Sequence, residues 1–573
     1  MAHRNLAARH RVGAELWGDR AALRFKVGGQ TRDLSWAEYR RQADLAAAAL
    51  IDLGIEVGDR VGLLAENRSE WLVADIALLS AGAAGVTMHA PLAPGQVEYQ
   101  LAHGEARGLI VSGQEQADKV LPRLPALPGL EFLISFDPVD VAGKLPHLTW
   151  DALLGRGRQL GAEGLGRVLL REDALGRDSL ATLIYTSGTT GPPKGVMLSH
   201  GNLLSNAEEV RAIVEVGPDD VSLSWLPFSH IYARTLDHYL AHLTGGLTFL
   251  ARSMDTVVAD LAEARPTMMH AVPRFYEKVW SLVEALPPEE RGRRLRGLFG
   301  PRLRVLYSGG APLPRHVCAG FHDAGLPLLE GYGLTESSPT ISVNRVERFK
   351  IGTVGLAIPG VEVKIADDGE ILTRGPHVML GYWKDPEATR RAIVDGWLHT
   401  GDLGRLDEEG FLTITGRKKD LIITSGGNNI APSELERLLL ADPLIDQVVL
   451  YGDGKPFVSA LIVPNLEGLR AEARALGCAL EFDGELIATP ALLDFLAARV
   501  ERRMQAVSKP ERVKAFLLLG RPFSVEAEEL TPTQKVRRAE ILNKFRDRLD
   551  ALYMEKPPAT SWEMREEVSD THL

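Results

Sequence analysis

Cysteine is scarce in this chain, since Cys318 and Cys478 are the two cysteines among its 573 residues. Two cysteines so far apart form neither a disulfide framework nor a zinc site, which indicates a reducing compartment. Long apolar runs are scarce as well. The most apolar stretch, residues 73–90, is rich in small residues and interrupted by glycines, so it is a poor membrane-spanning candidate. Residues 1–17 lack the apolar centre of a signal peptide, and the sequence therefore predicts a cytoplasmic protein.

An excess of positive charge is also absent. The chain has 65 Lys and Arg against 76 Asp and Glu, which gives a formal net charge of −11. Such a balance argues against non-specific binding of nucleic acid, so we expect no nucleic-acid partner. Hydrophobic residues make up 45% and charged residues 25% of the chain, as in soluble globular proteins. A chain this long exceeds one hydrophobic core, so we expect two or more domains.

Strand-like apolar runs alternate with helical patterns through the first part of the chain. Residues 60–67 have the aliphatic run of a buried strand, and residues 69–82 have helical spacing. Similar strand-like runs recur at 245–251, 267–273 and 303–312. This alternation predicts an α/β fold with a parallel, doubly wound sheet.

From about residue 352 the pattern changes to short alternating strands. Residues 361–376 contain an Asp-Gly turn between two such strands, which is typical of antiparallel sheet. A small α+β unit is expected beyond residue 417. There, Ser433 and Glu436 are three positions apart, the spacing of a capping box at a helix start.

The stretch YTSGTTGPPKGVMLSHGN, residues 185–202, combines glycines and hydroxyl side chains with a single lysine, Lys194. Glycines let backbone amides approach an anion closely, and amides with hydroxyls form a cradle for a polyphosphate. The alternative is a glycine-rich surface turn. The stretch is not a Walker loop, because Gly195 stands where that motif needs Ser or Thr.

Six further segments extend this pattern. They are LPFSHIYAR (226–234), SGGAPL (308–313), EGYGLTESSP (330–339), HTGDLG (399–404), GRKKDLIITSGGNNIAPSELE (416–436) and LTPTQKVRR (530–538). Together with residues 185–202 they resemble the adenylate-forming superfamily of AMP-dependent synthetases and ligases. Their sequences are most similar to those of the long-chain fatty acyl-CoA synthetase branch, and the resemblance covers residues 59–538.

This resemblance implies a large N-terminal domain of doubly wound mixed sheets with a small antiparallel β-barrel-like part, and a small mobile α+β C-terminal domain. The implied boundaries are 1–416 for the domain that binds ATP and the acyl substrate, 417–420 for a hinge, 421–555 for the C-terminal domain and 556–573 for a polar tail. The implied reaction activates a carboxylic acid, expected to be a medium- or long-chain fatty acid, with ATP. It releases pyrophosphate, forms an acyl-adenylate, and transfers the acyl group to CoA to give acyl-CoA and AMP.

The resemblance also assigns residues to the site. Lys535 is the implied catalytic lysine, and His230 is assigned to the same site, where it positions the acyl substrate. Thr186 and Glu336 are implied to contact Mg²⁺. The residues implied to bind ATP or CoA are Thr186, Ser187, Gly188, Thr189, Thr190, Gly191, Lys194, Gly309, Gly310, Ala311, Pro312, Glu330, Gly331, Tyr332, Gly333, Thr335, Asp402, Arg417, Lys419, Ser425, Gly426 and Gly427.

Several of these assignments have a structural alternative. Asp402 is implied to accept hydrogen bonds from the ribose hydroxyls, and Arg417 to contact the nucleotide, but the two could form an ion pair between neighbouring strands. Lys535 could be a solvated lysine in a basic run, and Glu336 could cap a helix. Lys419 is implied to be the hinge pivot, and the charged residues around it could otherwise form a solvated connector.

Three alternative functions stay open. The first is an acyl-AMP ligase that loads a carrier protein, although the insertion typical of such relatives is missing after the hinge. The second is an aryl-CoA ligase, and the third is a catalytically inactive nucleotide- or acyl-binding protein.

The arginine-rich residues 291–304 predict either peripheral contact with anionic lipid or a solvated helix packed on the domain edge. Arg234, Met268 and Met269 are further candidates for the acyl pocket.

Overall fold

The computed structural model describes residues 4–186, 192–253, 256–426, 428–505, 507–531 and 536–554. These residues form an α/β fold, which confirms the predicted fold class. The chain divides into two compact units. Unit 1 comprises residues 1–364, 372–400 and 406–413, and unit 2 comprises residues 365–371, 401–405 and 414–573. The boundaries predicted from the sequence, including the hinge at 417–420, stay a prediction, and the tail 556–573 lies outside the described residues.

A nine-stranded sheet forms one half of unit 1. Six strands pair in parallel at its centre, and the strands at both edges pair antiparallel. Their spatial order is Leu356–Ala357, Thr340–Val343, Leu328–Gly333, Val305–Ser308, Met268–Ala271, Val221–Ser224, Leu247–Leu250, Ala21–Val27 and Gln30–Ser35.

An eight-stranded sheet forms the other half of unit 1. The six strands from Leu180–Thr186 to His147–Thr149 pair in parallel. The strand Lys194–Ser199 pairs antiparallel with both of its neighbours, Gly381–Tyr382 and Leu180–Thr186. The spatial order is Gly381–Tyr382, Lys194–Ser199, Leu180–Thr186, Ala84–Met88, Arg60–Leu64, Ala106–Val111, Phe132–Ser135 and His147–Thr149. Parallel strands are covered on both faces, which explains why they have continuous aliphatic runs in the sequence.

Helices cover these sheets. The helix Ser69–Ala81 is buried on every side, which accounts for its largely apolar composition. The other helices of unit 1 are Leu6–Trp17, Trp36–Asp52, Pro94–His103, Gln114–Asp118, Trp150–Ala174, His200–Arg211, Ile231–Ala233, Leu240–Thr244, Val257–Ala264, Pro273–Ser281, Pro288–Phe299, Arg315–Asp323 and Pro386–Ala392, with a π-helical turn at Arg234–Tyr239 and 3₁₀ turns at Leu121–Ala126 and Thr335–Ser337.

The remaining strands form three smaller sheets, and the strand Trp397–Leu406 has 10 residues, longer than the change of pattern after residue 352 predicts. One five-stranded sheet has the order Glu362–Ile365, Glu370–Arg374, Trp397–Leu406 and Ile393–Val394, with Leu412–Arg417 also paired to Trp397–Leu406. Unit 2 has a two-stranded sheet of Ile422–Ile423 and Asn429–Ile430, and a five-stranded sheet in the order Ile445–Tyr451, Val458–Pro464, Val513–Leu519, Leu486–Ile487 and Phe482–Asp483. Its helices are Pro432–Leu440, Leu466–Ala475, Pro490–Met504, Arg538–Lys544 and Arg546–Ala551, with 3₁₀ turns at Lys418–Asp420 and Lys509–Glu511.

The predicted capping box in unit 2 is wrong in its details. A helix does begin at Pro432, but Ala431 is its N-cap residue, and no side chain caps it. The Glu436 carboxylate instead accepts a hydrogen bond from the backbone N–H of Leu450, at 2.8 Å, and pairs with Arg538. Glu436 therefore makes tertiary contacts instead of the capping contact that the local pattern predicts.

The arginine-rich stretch forms the helix Pro288–Phe299, whose Leu295 and Phe299 belong to the hydrophobic core of unit 1. The guanidinium of Arg291 lies 4.9 Å from the ring centroid of Trp280. These contacts agree with a helix packed on the domain edge, and membrane contact stays a prediction. In the part of the chain that the structure describes, no helix is both long and apolar enough to cross a bilayer.

Candidate active site

The two strands that flank the glycine-rich stretch lie side by side. Thr186 ends the strand Leu180–Thr186, Lys194 begins the strand Lys194–Ser199, and these two residues face each other in the antiparallel register. The predicted phosphate-binding residues between them, Ser187, Gly188, Thr189, Thr190 and Gly191, lie outside the described residues. Both ends of the predicted cradle are thus fixed by two paired neighbouring strands of the eight-stranded sheet.

Aromatic side chains hold these ends. The hydroxyl of Tyr99 donates a hydrogen bond to the carbonyl oxygen of Pro193 at 3.0 Å. The hydroxyl of Tyr185 lies 2.9 Å from Nδ1 of His103. Burial raises the pKa of Tyr185, so the phenol stays protonated and can donate this bond. On the other strand, the backbone N–H of Trp383 donates to the carbonyl oxygen of Gly195 at 2.7 Å.

Tyr382 links two residues that the sequence assigns to the site. The Nζ atom of Lys194 lies 4.9 Å from the ring centroid of Tyr382. The Tyr382 hydroxyl donates a hydrogen bond to Oε1 of Glu336 at 3.0 Å. Burial, with the nearby Glu336 carboxylate, raises the pKa of Tyr382, so its proton stays in place. A candidate phosphate-binding cation and a candidate metal ligand are therefore joined through one phenol.

This contact also connects the two sheets of unit 1. Glu336 follows the strand Leu328–Gly333 of the nine-stranded sheet, whereas Tyr382 lies in the edge strand of the eight-stranded sheet. The backbone N–H of Met379 donates to the carbonyl oxygen of Glu336 at 2.9 Å, which adds a second link. The sequence did not single out Tyr382, because its role depends on a strand pairing between distant segments.

The predicted nucleotide-binding segments of the nine-stranded sheet follow adjacent parallel strands. Gly309–Pro312 follows the strand Val305–Ser308, and Ser308 is in register with Glu330 on the next strand. Oε2 of Glu330 accepts a hydrogen bond from the backbone N–H of Leu313 at 3.4 Å. The carboxyl ends of parallel strands are the usual ligand-binding edge of an α/β sheet, and both segments lie there.

The two segments differ in packing, since the first is largely exposed and the second is tightly packed. Gly310 has φ 84°, in the left-handed region, and Gly310, Ala311 and Pro312 are exposed. A Cβ at Gly333 would lie 1.8 Å from the carbonyl oxygen of Pro339, so any side chain there would displace the backbone. Gly331 and Tyr332 lie on the same strand, Tyr332 is buried, and Thr335 begins the 3₁₀ turn that holds Glu336.

His230 lies beside this nucleotide edge. It follows the strand Val221–Ser224 and caps the short helix Ile231–Ala233, where its Nδ1 accepts from the backbone N–H of Tyr232 at 3.3 Å. The Tyr232 ring packs on Gly309, at which a Cβ would meet it 3.1 Å away. The sequence also did not single out Tyr232, which connects the predicted acyl and nucleotide positions. The role of His230 stays a prediction.

Arg234 is not an open pocket residue. Its side chain is fully buried and forms an ion pair with Asp75 and a 2.8 Å hydrogen bond to Thr182. Met268 and Met269 are also buried. We therefore assign Arg234 to the core of unit 1 and not to the acyl pocket.

The site residues predicted in unit 2 have their own contacts. Nε of Arg417 lies 2.9 Å from Oδ1 of Asp402, so the ion pair considered above is present. Lys419 lies exposed in the 3₁₀ turn Lys418–Asp420. Ser425 and Gly426 are exposed, and the backbone N–H of Ser425 donates to the carbonyl oxygen of Lys455 at 2.9 Å. Gly427 and Lys535 lie outside the described residues.

Two family models match the chain. Residues 11–383 match the AMP-binding enzyme model, and residues 419–557 match the AMP-binding enzyme C-terminal domain. The chain belongs to the AMP-binding enzyme family. The adenylate-forming superfamily that the motifs resemble is therefore confirmed, including its long-chain fatty acyl-CoA synthetase branch.

Members of this family include curated relatives of similar length. The long-chain-fatty-acid–CoA ligase FadD15 of Mycobacterium tuberculosis is 35% identical over 574 residues, which cover 92% of this chain and 93% of the relative. The long-chain-fatty-acid–CoA ligase ACSBG2 of Xenopus laevis is 30% identical over 94% of this chain and 82% of the relative.

Solved structures of other proteins have a similar fold. The anthranilate CoA ligase AuaEII in complex with anthranoyl-AMP matches with a TM-score of 0.78 at 20% identity, over 96% of this chain and 99% of that chain. ATP-bound MatB from Rhodopseudomonas palustris matches with a TM-score of 0.72 at 25% identity, over 95% of this chain and 99% of that chain.

Proposed function

We infer that this member of the AMP-binding enzyme family is an AMP-forming acid–CoA ligase that activates long-chain fatty acids. The observation that carries this inference is the similarity to long-chain-fatty-acid–CoA ligases, at 30–35% identity along more than nine-tenths of the chain. ATP, a fatty acid and CoA are its substrates. The link from Lys194 through Tyr382 to Glu336 supports a phosphate-binding centre in unit 1.

The first step brings two anions together. The fatty acid carboxylate attacks the α-phosphorus of ATP, a new O–P bond forms, and the bond to pyrophosphate breaks. At ~4 Å two unit charges repel by about 4 kcal/mol at an effective dielectric constant of ~20. The site must offset this repulsion with cations and oriented donors where charge develops. We assign Lys194 and the segment after Thr186 to the leaving phosphates, and Lys535 to the reacting carboxylate and α-phosphate.

Mg²⁺ fits the donors that unit 1 provides. This ion takes one or two carboxylates and completes its shell with phosphate oxygens and water. Glu336 supplies one carboxylate, held by the Tyr382 hydroxyl, and Thr186 supplies a hydroxyl at the end of its strand. In the described ranges no group of three or more His, Cys, Asp or Glu could hold a metal ion. Bound by Glu336 and Thr186, Mg²⁺ would neutralise charge on the leaving pyrophosphate.

The second step takes place at the acyl carbon of the acyl-adenylate that the first step forms. The CoA sulfur attacks the acyl carbon, the C–O bond to AMP breaks, and the thiol proton is released to solvent. Asp402 is proposed to accept hydrogen bonds from the ribose hydroxyls, and Arg417 to contact the nucleotide. The ion pair between them orients the Asp402 carboxylate and does not conflict with that role. Lys419 stays the proposed hinge pivot, and residues 424–429 the proposed contact for the pantetheine arm.

The test measures AMP, pyrophosphate and acyl-CoA with a panel of fatty and aromatic acids. We expect CoA-dependent release of AMP with long-chain acids, and one acyl-CoA for each AMP. Acyl-adenylate without thioester would instead support the acyl-AMP ligase, and a preference for aromatic acids would support the aryl-CoA ligase. Binding of ATP without any product would indicate an inactive protein. The variant Glu336→Gln should lose activity, whereas Glu105→Gln, an exposed acid in the same unit, should keep it.

A further inference from the structure

A buried acidic side chain in unit 2 lies immediately before the segment that carries Lys535. The side chain of Glu529 is 1% exposed. Arg521 donates to both of its oxygens, each at 2.7 Å, and Nζ of Lys544 lies 3.0 Å from Oε1. The backbone N–H of Ser524 adds a donor to Oε2 at 3.3 Å. One carboxylate thus joins the stretch 521–529 to the helix that carries Lys544.

The backbone of Glu529 holds the other side of the same segment. The backbone N–H of Arg537 donates to the carbonyl oxygen of Glu529 at 2.8 Å. Leu530 and Val536 pair as an antiparallel bridge, and Leu530 is buried in the core of unit 2. The residues just before and just after 532–535 are therefore tied to each other and to Glu529.

A second ion pair fixes the chain beyond this point. Nη2 of Arg538 lies 2.6 Å from both carboxylate oxygens of Glu436, and Nη1 donates to the carbonyl oxygen of Leu450 at 3.1 Å. The guanidinium of Arg538 therefore bonds a carboxylate through one nitrogen and a backbone carbonyl through the other, which constrains direction as well as distance. The chain that leaves the Lys535 segment therefore has a defined position on the sheet of unit 2.

The chemistry of Glu529 indicates a role beyond general stability. A buried ion pair contributes little net stability compared with a well-packed apolar group, because both charges lose water. Burial would raise the pKa of Glu529, but Arg521 and Lys544 keep that pKa below its usual value, so the carboxylate stays ionised. What the ionised group supplies is geometry, since it fixes Arg521 and Lys544 around the start of the segment.

We propose that Glu529 is a positioning residue for the adenylation step, because its ion pairs with Arg521 and Lys544 and its backbone bond to Arg537 hold the described residues on both sides of Lys535. The proposal rests on the proposed function, in which Lys535 acts on the carboxylate and the α-phosphate in the first step. Catalytic groups lose much of their effect when displaced by about 1 Å. Glu529 therefore matters for acyl-adenylate formation and not for attack of CoA on a preformed acyl-adenylate.

The variant Glu529→Gln tests this directly. Glutamine keeps the shape of the side chain and removes its charge. Arg521 retains Glu485, at 2.6 Å, and Lys544 is 41% exposed, so neither cation is left buried without water or a partner. The first step is measured as exchange of labelled pyrophosphate into ATP, and the second as acyl-CoA formation from synthetic acyl-adenylate and CoA. We expect the exchange rate to fall by roughly 10- to 100-fold, with the second rate within about twofold of the wild type.

Asp442→Asn is the matched control. The Asp442 side chain is 5% exposed and accepts from Arg499 at 2.9–3.1 Å, in the same unit. Both variants are assayed well below their unfolding midpoints, and the control should keep both rates. Equal loss of the two steps in Glu529→Gln, or the same loss in Asp442→Asn, would overturn the positioning role while the ligase function stands. Absence of exchange in the wild type would overturn the ligase function itself.

Discussion

The phenol of Tyr382 is the contact whose removal is most informative. Its hydroxyl donates to Glu336 at 3.0 Å, and its ring lies 4.9 Å from Nζ of Lys194. The substitution Tyr382→Phe removes the hydroxyl and keeps the ring, whereas Tyr382→Leu removes both. The two variants therefore separate the orientation of the candidate metal ligand from the cation–π contact of the lysine.

The expected magnitudes follow from these two contacts. A hydrogen bond to a charged group is worth about 1.5–3 kcal/mol, and a partly exposed cation–π contact about 0.5–1 kcal/mol. We use the lower end of the first range because Tyr382 is partly exposed. Tyr382→Phe should weaken binding of Mg²⁺·ATP by about tenfold, and Tyr382→Leu by a further factor of about 2 to 5. The reason is that Glu336 and Lys194 are no longer oriented before the nucleotide arrives.

Calorimetric titration with Mg²⁺ and a non-hydrolysable ATP analogue measures this affinity without turnover. Tyr276→Phe is the matched control, since it removes a buried hydroxyl that donates to the carbonyl oxygen of Tyr307 at 2.9 Å in the same unit. The control should lower the unfolding temperature and leave nucleotide affinity unchanged. Wild-type or tighter affinity in Tyr382→Phe, or equal losses in Tyr382→Phe and Tyr276→Phe, would refute the orienting role.

Three further predictions concern packing and charge in unit 1. Gly309→Ala places a Cβ 3.1 Å from the Tyr232 ring, so we expect a higher KM for ATP in steady-state assays, and an unchanged KM would show that the ring yields. Asp75→Asn leaves buried Arg234 without its counter-charge and should lower the free energy of unfolding by about 3–5 kcal/mol in urea titrations; a loss below about 1 kcal/mol would contradict the buried pair. Burial lowers the pKa of His242 in the folded protein, so the fold favours the neutral imidazole. The contribution of His242 to the free energy of unfolding is therefore complete above about pH 6.5, and it declines by up to about 1.4 kcal/mol per pH unit as pH falls below that value. His242→Phe should flatten the decline, and an unchanged slope would contradict this assignment.

Local pattern was sufficient to predict many elements of the fold. The helical spacing of residues 69–82 corresponds to the helix Ser69–Ala81, and the aliphatic run at 60–67 contains the strand Arg60–Leu64. These signals arise from burial of one segment between layers, so they are visible in a single stretch of sequence. The helix start at Pro432 was also visible, but its predicted cap was not formed.

Contacts between distant segments were not visible in the sequence. Tyr382 reaches Glu336 because a two-residue strand pairs at a sheet edge, and Glu529 meets Lys544 because of how unit 2 packs. Neither residue has a local pattern that distinguishes it. Arg234 is a related case, since a basic residue four positions after a candidate histidine pairs with Asp75 in the core. The side-chain types predicted a polyphosphate site, and the tertiary structure adds which of its described residues touch.

Isotope transfer tests the central claim most directly, namely that the carboxylate oxygen attacks the α-phosphorus of ATP. The enzyme is supplied with ATP, CoA and a long-chain fatty acid labelled with ¹⁸O in both carboxylate oxygens, and the products are separated for mass spectrometry. The account predicts one ¹⁸O in each AMP and none in pyrophosphate, because the bridging oxygen stays with phosphorus when CoA breaks the C–O bond. Unlabelled AMP, or label in inorganic phosphate released with ADP, would contradict it.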